Sequence, residues 1–239
     1  MFDVEDDHWW YVAVHQEVLW NLRHWRYPVA GTWRPCFLDA GCGTGGLLAK
    51  LKKEGVSSIG VDFSEKGLSF CRKRGLDHLL KSSVTELALK DESFDGIISI
   101  DLLCQEEVDE QKTLQEFSRV LKPKGFLIMQ VPAFQFLKSE HDMAVHVKKR
   151  YTKHELQGAL ERTGFSIQRL FYRNTLLFPV AVFLRLLKKM GKKEPQKAES
   201  DVTPLPRILN DFLTGIIWFE AKIIHHFAGS PFGLSLFCV

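Results

Sequence analysis

The sequence has no long apolar run and no feature of a secreted protein. The stretch 175–187 is too short to cross a bilayer and contains Arg185, and four charged residues interrupt 205–228. The first ten residues, MFDVEDDHWW, are acidic and contain no signal-peptide core. We therefore expect no transmembrane helix and a cytoplasmic location, with peripheral contact at the inner membrane face left open.

The cysteines form none of the usual pairs. There are five of them, an odd number, and no C-x-x-C spacing occurs: Cys36, Cys42, Cys71, Cys104 and Cys238. A disulfide framework and a zinc site are thus both disfavoured. We expect reduced thiols and no metal site.

A strong charge of either sign is lacking as well. The net charge is +3, well below that of a dedicated nucleic-acid binder, so no nucleic-acid partner is expected. Basic residues cluster at 148–150 and 188–197, and each cluster is either a solvated face or a binding surface. With 239 residues, 45% of them hydrophobic, the chain is long enough for one domain over 1–239 with a sizeable core.

Short apolar runs alternate with amphipathic stretches along the middle of the chain. After an aromatic helix over 8–25, within an N-terminal cap at 1–30, this alternation continues through 36–172. Such a pattern predicts β-α-β units and a parallel sheet. The expected strands are 36–40, 57–62, 78–81, 95–100, 125–131 and 165–172.

The remaining segment is longer than a minimal β-α-β domain requires. Helical periodicity over 176–190 and 205–227 flanks a charged linker, and residues 233–239 alternate like a strand. We predict an α/β fold: a seven-stranded, mostly parallel sheet with an antiparallel last strand at 233–239 and helices on both faces. A helical insertion over 174–230 precedes that last strand.

A glycine-rich turn joins the first strand to the first helix of the sheet. Residues 38–46 read LDAGCGTGG, in which Gly41, Gly43 and Gly46 also match G-x-G-x-x-G. Glycines allow positive φ and close approach of a ligand to the backbone. By itself the match fits a nicotinamide cofactor, or a tight turn that binds nothing. Asp39 on the first strand and Asp62 at the end of the second strand narrow the choice among these possible functions of the turn.

The pattern D-x-G-x-G-x-G followed by V-D-x-S resembles class I S-adenosylmethionine-dependent methyltransferases of the type 11 group, which have a Rossmann-like fold. The resemblance implies S-adenosylmethionine as the cofactor. The loop of Gly41, Cys42, Gly43 and Gly45 would lie beside its methionine portion. Asp62 would hold the ribose hydroxyls, Asp39 would orient the loop or meet the ammonium group, and Phe63 would lie against the adenine.

The resemblance continues beyond this loop, with two departures. Ser83 stands where the family often has an acid near the adenine amine, so that the acidic contact is missing and only its hydroxyl would accept a hydrogen bond. The backbone of Val84 would serve the adenine edge. Asp101 opens the segment that often reads D-V-L-E-H, but Gln105 replaces its histidine and would line the acceptor site. The turn 121–125, LKPKG, resembles the family's L-K-P-G-G.

A polar segment follows the fifth strand, at the sheet edge where ligands bind in such folds. It resembles an S-x-H-D…H-x-R-R-Y pattern of bacterial methyltransferases that accompany glycan or lipid-linked assembly. The resemblance makes His141 or His146 a base, Asp142 its orienter, and Arg150 an anion anchor beside Tyr151. The alternative is a polar loop whose side chains fix its own shape.

Other roles stay open at this point. Trp10 would close over the acceptor, or its helix only packs on the sheet. The insertion would form a cap, a homodimer face or a peripheral membrane contact. The favoured function is methyl transfer, most readily to an oxygen of a small-molecule, sugar or lipid-linked acceptor. The alternatives are a nicotinamide-dependent oxidoreductase and a non-catalytic cofactor-binding adaptor.

Overall fold

A computed structural model describes residue 2 and residues 4–24, 35–190, 205–226 and 230–239. Three predicted features lie outside these ranges: the end of the aromatic helix at residue 25, the charged linker at 191–203, and the end of the last predicted helix at residue 227.

Seven strands form one sheet in the order β3-β2-β1-β4-β5-β7-β6. The pairs among β1 to β5 are parallel, whereas β7 runs antiparallel to both β5 and β6. This is the predicted fold class, including the antiparallel last strand. The strands are β1 Cys36–Ala40, β2 Ser57–Asp62, β3 Leu79–Lys81, β4 Phe94–Ile100, β5 Leu121–Pro132, β6 Leu170–Arg173 and β7 Ser235–Cys238.

The helices begin where side chains can cap them. Ser64, Asp109 and Thr152 each accept a hydrogen bond from a backbone amide of the first turn, which satisfies a donor that the helix leaves free. The described helices are α1 Trp9–His24, α2 Gly46–Lys53, α3 Glu65–Lys73, α4 Glu110–Val120, α5 Glu140–Ala144, α6 Lys153–Arg162, α7 Phe178–Met190 and α8 Arg207–His226.

Each face of the sheet has its own apolar core. Alternate strand residues such as Leu38 and Ile97 pack with Leu114 and Phe117 of α4 and with residues of α6. The opposite residues pack with α1, α2 and α3. Because successive side chains of a strand point to opposite faces, this division follows from the β-strand period. Helices therefore cover both faces of the sheet.

Two predicted strand starts, those of β5 and β6, differ from the structure by more than two residues. Strand β5 begins at Leu121, which pairs with Phe94, and the register shifts before Gly96 pairs with Phe126. The predicted start at Gly125 was wrong because the KPKG turn lies within this irregular pairing. Strand β6 begins at Leu170 rather than at 165, since Gln168 and Arg169 both donate backbone hydrogen bonds to the Val239 carbonyl.

Helix α5 lies in a segment where no helix was predicted. Helices α7 and α8 lie between β6 and β7, as expected for an insertion. Among the described helices, none combines the length and apolarity that a membrane crossing requires.

Candidate functional site

The glycine loop joins β1 to α2 at the carboxyl edge of the sheet. Gly41, Gly43 and Gly45 all have positive φ, at 77°, 54° and 81°. A Cβ at Gly41 would lie 2.8 Å from Leu102, and one at Gly45 would lie 2.8 Å from both Cys71 and Leu76. These two glycines are therefore required by packing and backbone conformation, whatever the loop binds.

Gly43 differs, because nothing lies within 4 Å of the position where its Cβ would be. Its amide donates to Asp62 Oδ2 at 2.8 Å, and the other carboxylate oxygen of Asp62 accepts from the Ser64 amide at 2.8 Å. Each oxygen keeps a further lone pair for a hydroxyl. The open side of Gly43 and the Asp62 carboxylate thus form the part of the loop that a ligand can approach.

We predict that Gly43→Ala folds but binds S-adenosylhomocysteine about tenfold or more weakly, because the methyl group occupies the open side of the loop. The matched control is Gly55→Ala, which also has positive φ (73°) and open space, at the end of α2. Both variants should lose about 1 kcal/mol of stability from strain. Calorimetry should show weaker binding for Gly43→Ala alone, and equal affinity in the two variants would contradict a ligand at this loop.

Two more carboxyl groups beside the loop have a buried oxygen without a hydrogen-bond partner among the described residues, Asp39 Oδ2 and Asp101 Oδ1. Burial raises the pKa of Asp39 well above its usual value, and the nearby Glu5 raises it further. Burial also raises the pKa of Asp101 to about 7, against the opposing charge of Arg150. Buried polar atoms are almost always bonded, so these two are candidates for ligand contacts.

The N-terminal segment adds a group that was not predicted. Glu5 is buried and accepts hydrogen bonds from the Thr44 hydroxyl and the Gly46 amide. Arg74 holds Glu5 at 3.2 Å and Asp6 at 2.7 Å. Only the acidic run at 5–7 ahead of the aromatic helix could have indicated such a contact. Glu5 therefore fixes the N-terminal segment against the glycine loop.

The predicted adenine-side residues have different surroundings. Phe63 is 63% exposed at the end of β2, while Val84 is buried. The Ser83 hydroxyl lies 2.7 Å from that of Thr85. Cys42 is buried in the loop facing α3, where the Cys71 thiol donates to the Gly43 carbonyl at 3.4 Å. The exposed ring of Phe63 leaves one aromatic face available beside Asp62.

The two residues predicted to border the acceptor are Trp10, on α1, and Gln105, which follows the carboxyl end of β4. Trp10 is half-buried, with its ring edge-on to Tyr11 at 4.9 Å. Burial raises the pKa of Tyr11, and the charges of Glu5 and Asp101 raise it further. Gln105 donates to the Asp101 carbonyl at 3.0 Å. It therefore holds the backbone of Asp101, whose φ is +50°.

The predicted catalytic segment forms α5 and the turn after it. Asp142 is buried, and its Oδ1 accepts from the Arg150 guanidinium at 2.8 and 3.0 Å. Its Oδ2 accepts from the amide and hydroxyl of Ser139, which completes a capping box. Burial alone would raise the pKa of Asp142, but Arg150 and Ser139 together lower it below the usual value. Both oxygens of Asp142 are thus engaged by these two residues.

The remaining predicted residues of this segment lie around the same ion pair. Arg150 is buried and also donates to the Ala133 carbonyl at 3.1 Å. The hydroxyl of the fully buried Tyr151 lies 2.9 Å from Glu110. His146 is exposed, with Nδ1 3.6 Å from Glu106, and His141 is half-buried on α5. The two histidines are therefore the accessible polar groups, whereas Arg150 and Tyr151 hold the segment in place.

The carboxylate oxygens beside the loop suit S-adenosylmethionine, which carries a sulfonium and an ammonium charge. Asp39 and Asp101 each offer a buried oxygen without a partner, and Asp62 offers free lone pairs next to the open side of Gly43. Carboxylates favour cations and accept hydroxyl hydrogens. No group of three or more His, Cys, Asp or Glu among the described residues could hold a metal ion.

Comparison with known proteins agrees with this assignment. Residues 38–129 match the family model described as "methyltransferase domain". The chain is 34% identical over 124 residues to the demethylmenaquinone methyltransferase of Clavibacter sepedonicus, covering 49% of each chain. It is 30% identical over 172 residues to malonyl-acyl-carrier-protein O-methyltransferase 1 of Coxiella burnetii, covering 70% of this chain and 59% of the relative. The chain thus spans about half the length of the curated relatives it matches.

Solved structures share the fold. A SAM-dependent methyltransferase of Thermotoga maritima is 25% identical, with a TM-score of 0.54 over 72% of this chain and 80% of the other. Another from Archaeoglobus fulgidus is 22% identical, with a TM-score of 0.54 over 94% of this chain and 93% of the other, and shows the fold alone. Residues 38–129 therefore match a methyltransferase domain, and the chain has the Rossmann-like fold that class I S-adenosylmethionine-dependent methyltransferases share.

Proposed function

We propose that this protein transfers the methyl group of S-adenosylmethionine to an oxygen of a small-molecule, sugar or lipid-linked acceptor. The observation that carries the proposal is the open side of Gly43 next to the Asp62 carboxylate. The buried oxygens of Asp39 and Asp101, which have no partner among the described residues, support it. One sequence relative is named as an O-methyltransferase, which supports oxygen as the acceptor atom.

Each residue beside the loop has one proposed role. Asp62 accepts the ribose hydroxyls, and Phe63 and Val84 border the adenine with Ser83. Asp39 and Asp101 face the positive end of the cofactor, while Gly41, Cys42 and Gly45 shape the turn. The matched domain and the antiparallel β7 disfavour the nicotinamide alternative. The predicted domain limits, 1–239 with a cap at 1–30 and an insertion at 174–230, are part of this proposal.

Methyl transfer requires little from the protein beyond orienting the acceptor and the cofactor. When bound, S-adenosylmethionine would supply a methyl group on a positively charged sulfur, so that the sulfur–methyl bond breaks with a neutral thioether as a good leaving group. The residues at the carboxyl edge then hold the acceptor in line and exclude water. Trp10 and Gln105 border the acceptor, and His141 or His146 takes the proton from a hydroxyl whose pKa is too high for it to leave unaided. Arg150 and Asp142 position this segment.

The proposed function is tested by calorimetry with S-adenosylhomocysteine and, separately, with NAD. We expect binding of the nucleoside thioether and none of the dinucleotide. Transfer of radiolabelled methyl groups from S-adenosylmethionine to sugars, aromatic hydroxyls and lipid extracts then identifies the acceptor. Binding of NAD alone would contradict the proposal, and cofactor binding without turnover on any acceptor would support a non-catalytic adaptor.

The affinity for S-adenosylmethionine should depend on pH through Asp101. Its pKa of about 7 means that the carboxyl group is mostly neutral below this pH and mostly charged above it. The cationic cofactor should therefore bind about tenfold more tightly well above pH 7 than well below it. Asp101→Asn should remove this dependence, because the amide does not titrate. Calorimetry across this range, with wild type and variant compared, measures the effect, and an unchanged slope in the variant would assign it to another group.

A further inference from the structure

We propose that the exposed apolar faces of α7 and α8 form a docking surface for an anionic phospholipid bilayer. Most large apolar side chains that remain exposed in the described residues lie on these two helices. Monomeric proteins rarely expose contiguous apolar areas of this kind unless a partner or a membrane covers them. We therefore call the exposed apolar faces of these two helices the docking surface.

Helix α7 presents one continuous apolar face. Val180, Phe183, Leu184 and Leu187 are spaced by three, four and seven residues, so they lie on one side of the helix. They are 55%, 61%, 53% and 49% exposed. At the start of α7, Phe178 packs instead against Phe134 and Phe136 with ring centroids 5.8 and 6.4 Å apart. The helix is thus anchored at its first residue, while the face formed by Val180, Phe183, Leu184 and Leu187 is exposed.

Helix α8 has the same division between an anchored side and an exposed side. Ile217 and Glu220 are buried, and Glu220 accepts from the amides of Thr175 and Leu176 at 2.9 Å. Ile208, Phe212 and Phe219 repeat at helical spacing on the other side and are 87%, 64% and 58% exposed. The described part of α8 is therefore held to the protein by one side while an aromatic and aliphatic face stays open.

Both faces lie near the edge of the sheet that carries the candidate site. Phe134 follows the carboxyl end of β5, and Phe178 follows that of β6. On α8, Asn210 accepts from the Trp9 amide and donates to the Asp7 carbonyl, both at 2.8 Å. These contacts connect the docking surface with the N-terminal segment beside the glycine loop. A bilayer against this surface would lie next to the entrance for the acceptor.

Charge favours an anionic bilayer over a second copy of this chain. The described side chains of the two helices include three basic ones, Arg185, Arg207 and Lys222. Their two acidic residues are Asp211, 3.9 Å from Arg207, and the buried Glu220. A symmetric dimer would bring two like-charged surfaces together, whereas anionic headgroups would neutralise them. Lys222 over the ring of Trp218, at 3.5 Å, resembles the pairs that anchor proteins at membrane interfaces.

The surface also narrows the acceptor to a lipid-linked one, and this step rests on the proposed function. An acceptor held in the bilayer would reach the carboxyl edge of the sheet without leaving the membrane. Neither the charge nor the exposure of α7 and α8 depends on methyl transfer, so membrane binding is tested apart from it.

The full chain is sedimented with vesicles of phosphatidylcholine alone and with vesicles that also contain phosphatidylglycerol. We expect binding to the anionic vesicles, weakened by salt. Phe183→Glu together with Phe219→Glu should reduce it by about tenfold or more, because each glutamate opposes insertion and adds repulsion. Two glutamates at exposed neutral positions elsewhere add the same charge: Met143→Glu on α5 together with Gln115→Glu on α4. This control should bind vesicles as the wild type does.

Light scattering and calorimetry with S-adenosylhomocysteine complete the experiment. Retained affinity for the thioether shows that the α7 and α8 variant is folded. A wild-type dimer that the α7 and α8 variant converts to monomer, with no vesicle binding, would assign the surface to self-association and overturn the proposal. Absence of vesicle binding at low salt by a monomer would overturn it too. Vesicle binding without affinity for the thioether would instead contradict the proposed function and leave the membrane surface standing.

Discussion

Asp62→Ala should weaken the binding of S-adenosylhomocysteine by about 100-fold or more. The carboxylate holds the Gly43 amide and the Ser64 amide at 2.8 Å, and it is the proposed acceptor for both ribose hydroxyls. Each hydrogen bond to a charged group contributes about 1.5–3 kcal/mol, so losing two from the ligand accounts for this factor. Calorimetry at one temperature and salt concentration measures it.

The loss must be separated from damage to the loop. Asp62→Asn keeps a side chain that can accept from one amide, so it should fold like the wild type and bind with intermediate affinity. Asp77→Ala removes an exposed carboxylate beyond α3 and should change nothing. Full affinity in a folded Asp62→Ala protein would show that the ribose is held elsewhere.

The sheet could be predicted because its signals are local. In β4 the run FDGIISI is apolar and β-branched, and the residues that cap α3, α4 and α6 stand immediately before their helices. The irregular pairing of Leu121 with Phe94 could not be predicted from the sequence, because it depends on β5 lying next to β4 in the sheet. Helix α5 was missed since five residues are too few to show a helical period, although the spacing of Ser139 and Asp142 is that of a capping box.

Some parts of the candidate site could be predicted from the sequence and others could not. The glycine loop and Asp62 are adjacent to strand ends, so their meeting follows from the topology of a parallel sheet. The contact of Glu5 with Thr44 spans 39 residues and that with Arg74 spans 69, and no periodicity in the sequence indicates either. Asp142 was predicted to orient a histidine because the two are neighbours in sequence. That role stays a prediction, and the structure adds a buried partner, Arg150.

Asp142→Ala should lower the free energy of unfolding by about 3–5 kcal/mol. The side chains of Asp142 and Arg150 are 2% and 6% exposed, and removing the carboxylate leaves a buried guanidinium charge without its counter-ion. The ion pair also closes the turn between α5 and Tyr151. Urea unfolding followed by circular dichroism measures the change, with an unchanged m-value indicating that the two-state transition is preserved.

The ion pair of Asp142 and Arg150 also makes the stability of the protein depend on pH, with the loss on the acidic side. Because the pKa of Asp142 is lower in the folded protein than in the unfolded chain, its contribution is complete above the unfolded value of about 4. It is lost as the pH falls through the folded pKa. The wild type should therefore lose more stability than Asp142→Ala on acidification in this range. An equal loss of stability in the two proteins on acidification would contradict the assigned ion pair.

His141→Ala is the matched comparison on the same short helix. If His141 takes a proton from the acceptor, its loss should lower turnover by about 100-fold while the affinity for S-adenosylhomocysteine stays near normal. Its stability should change far less than that of Asp142→Ala, since the half-buried imidazole leaves no buried charge behind. A loss of stability as large as that of Asp142→Ala, with turnover per folded molecule unchanged, would mean that this segment only fixes its own shape.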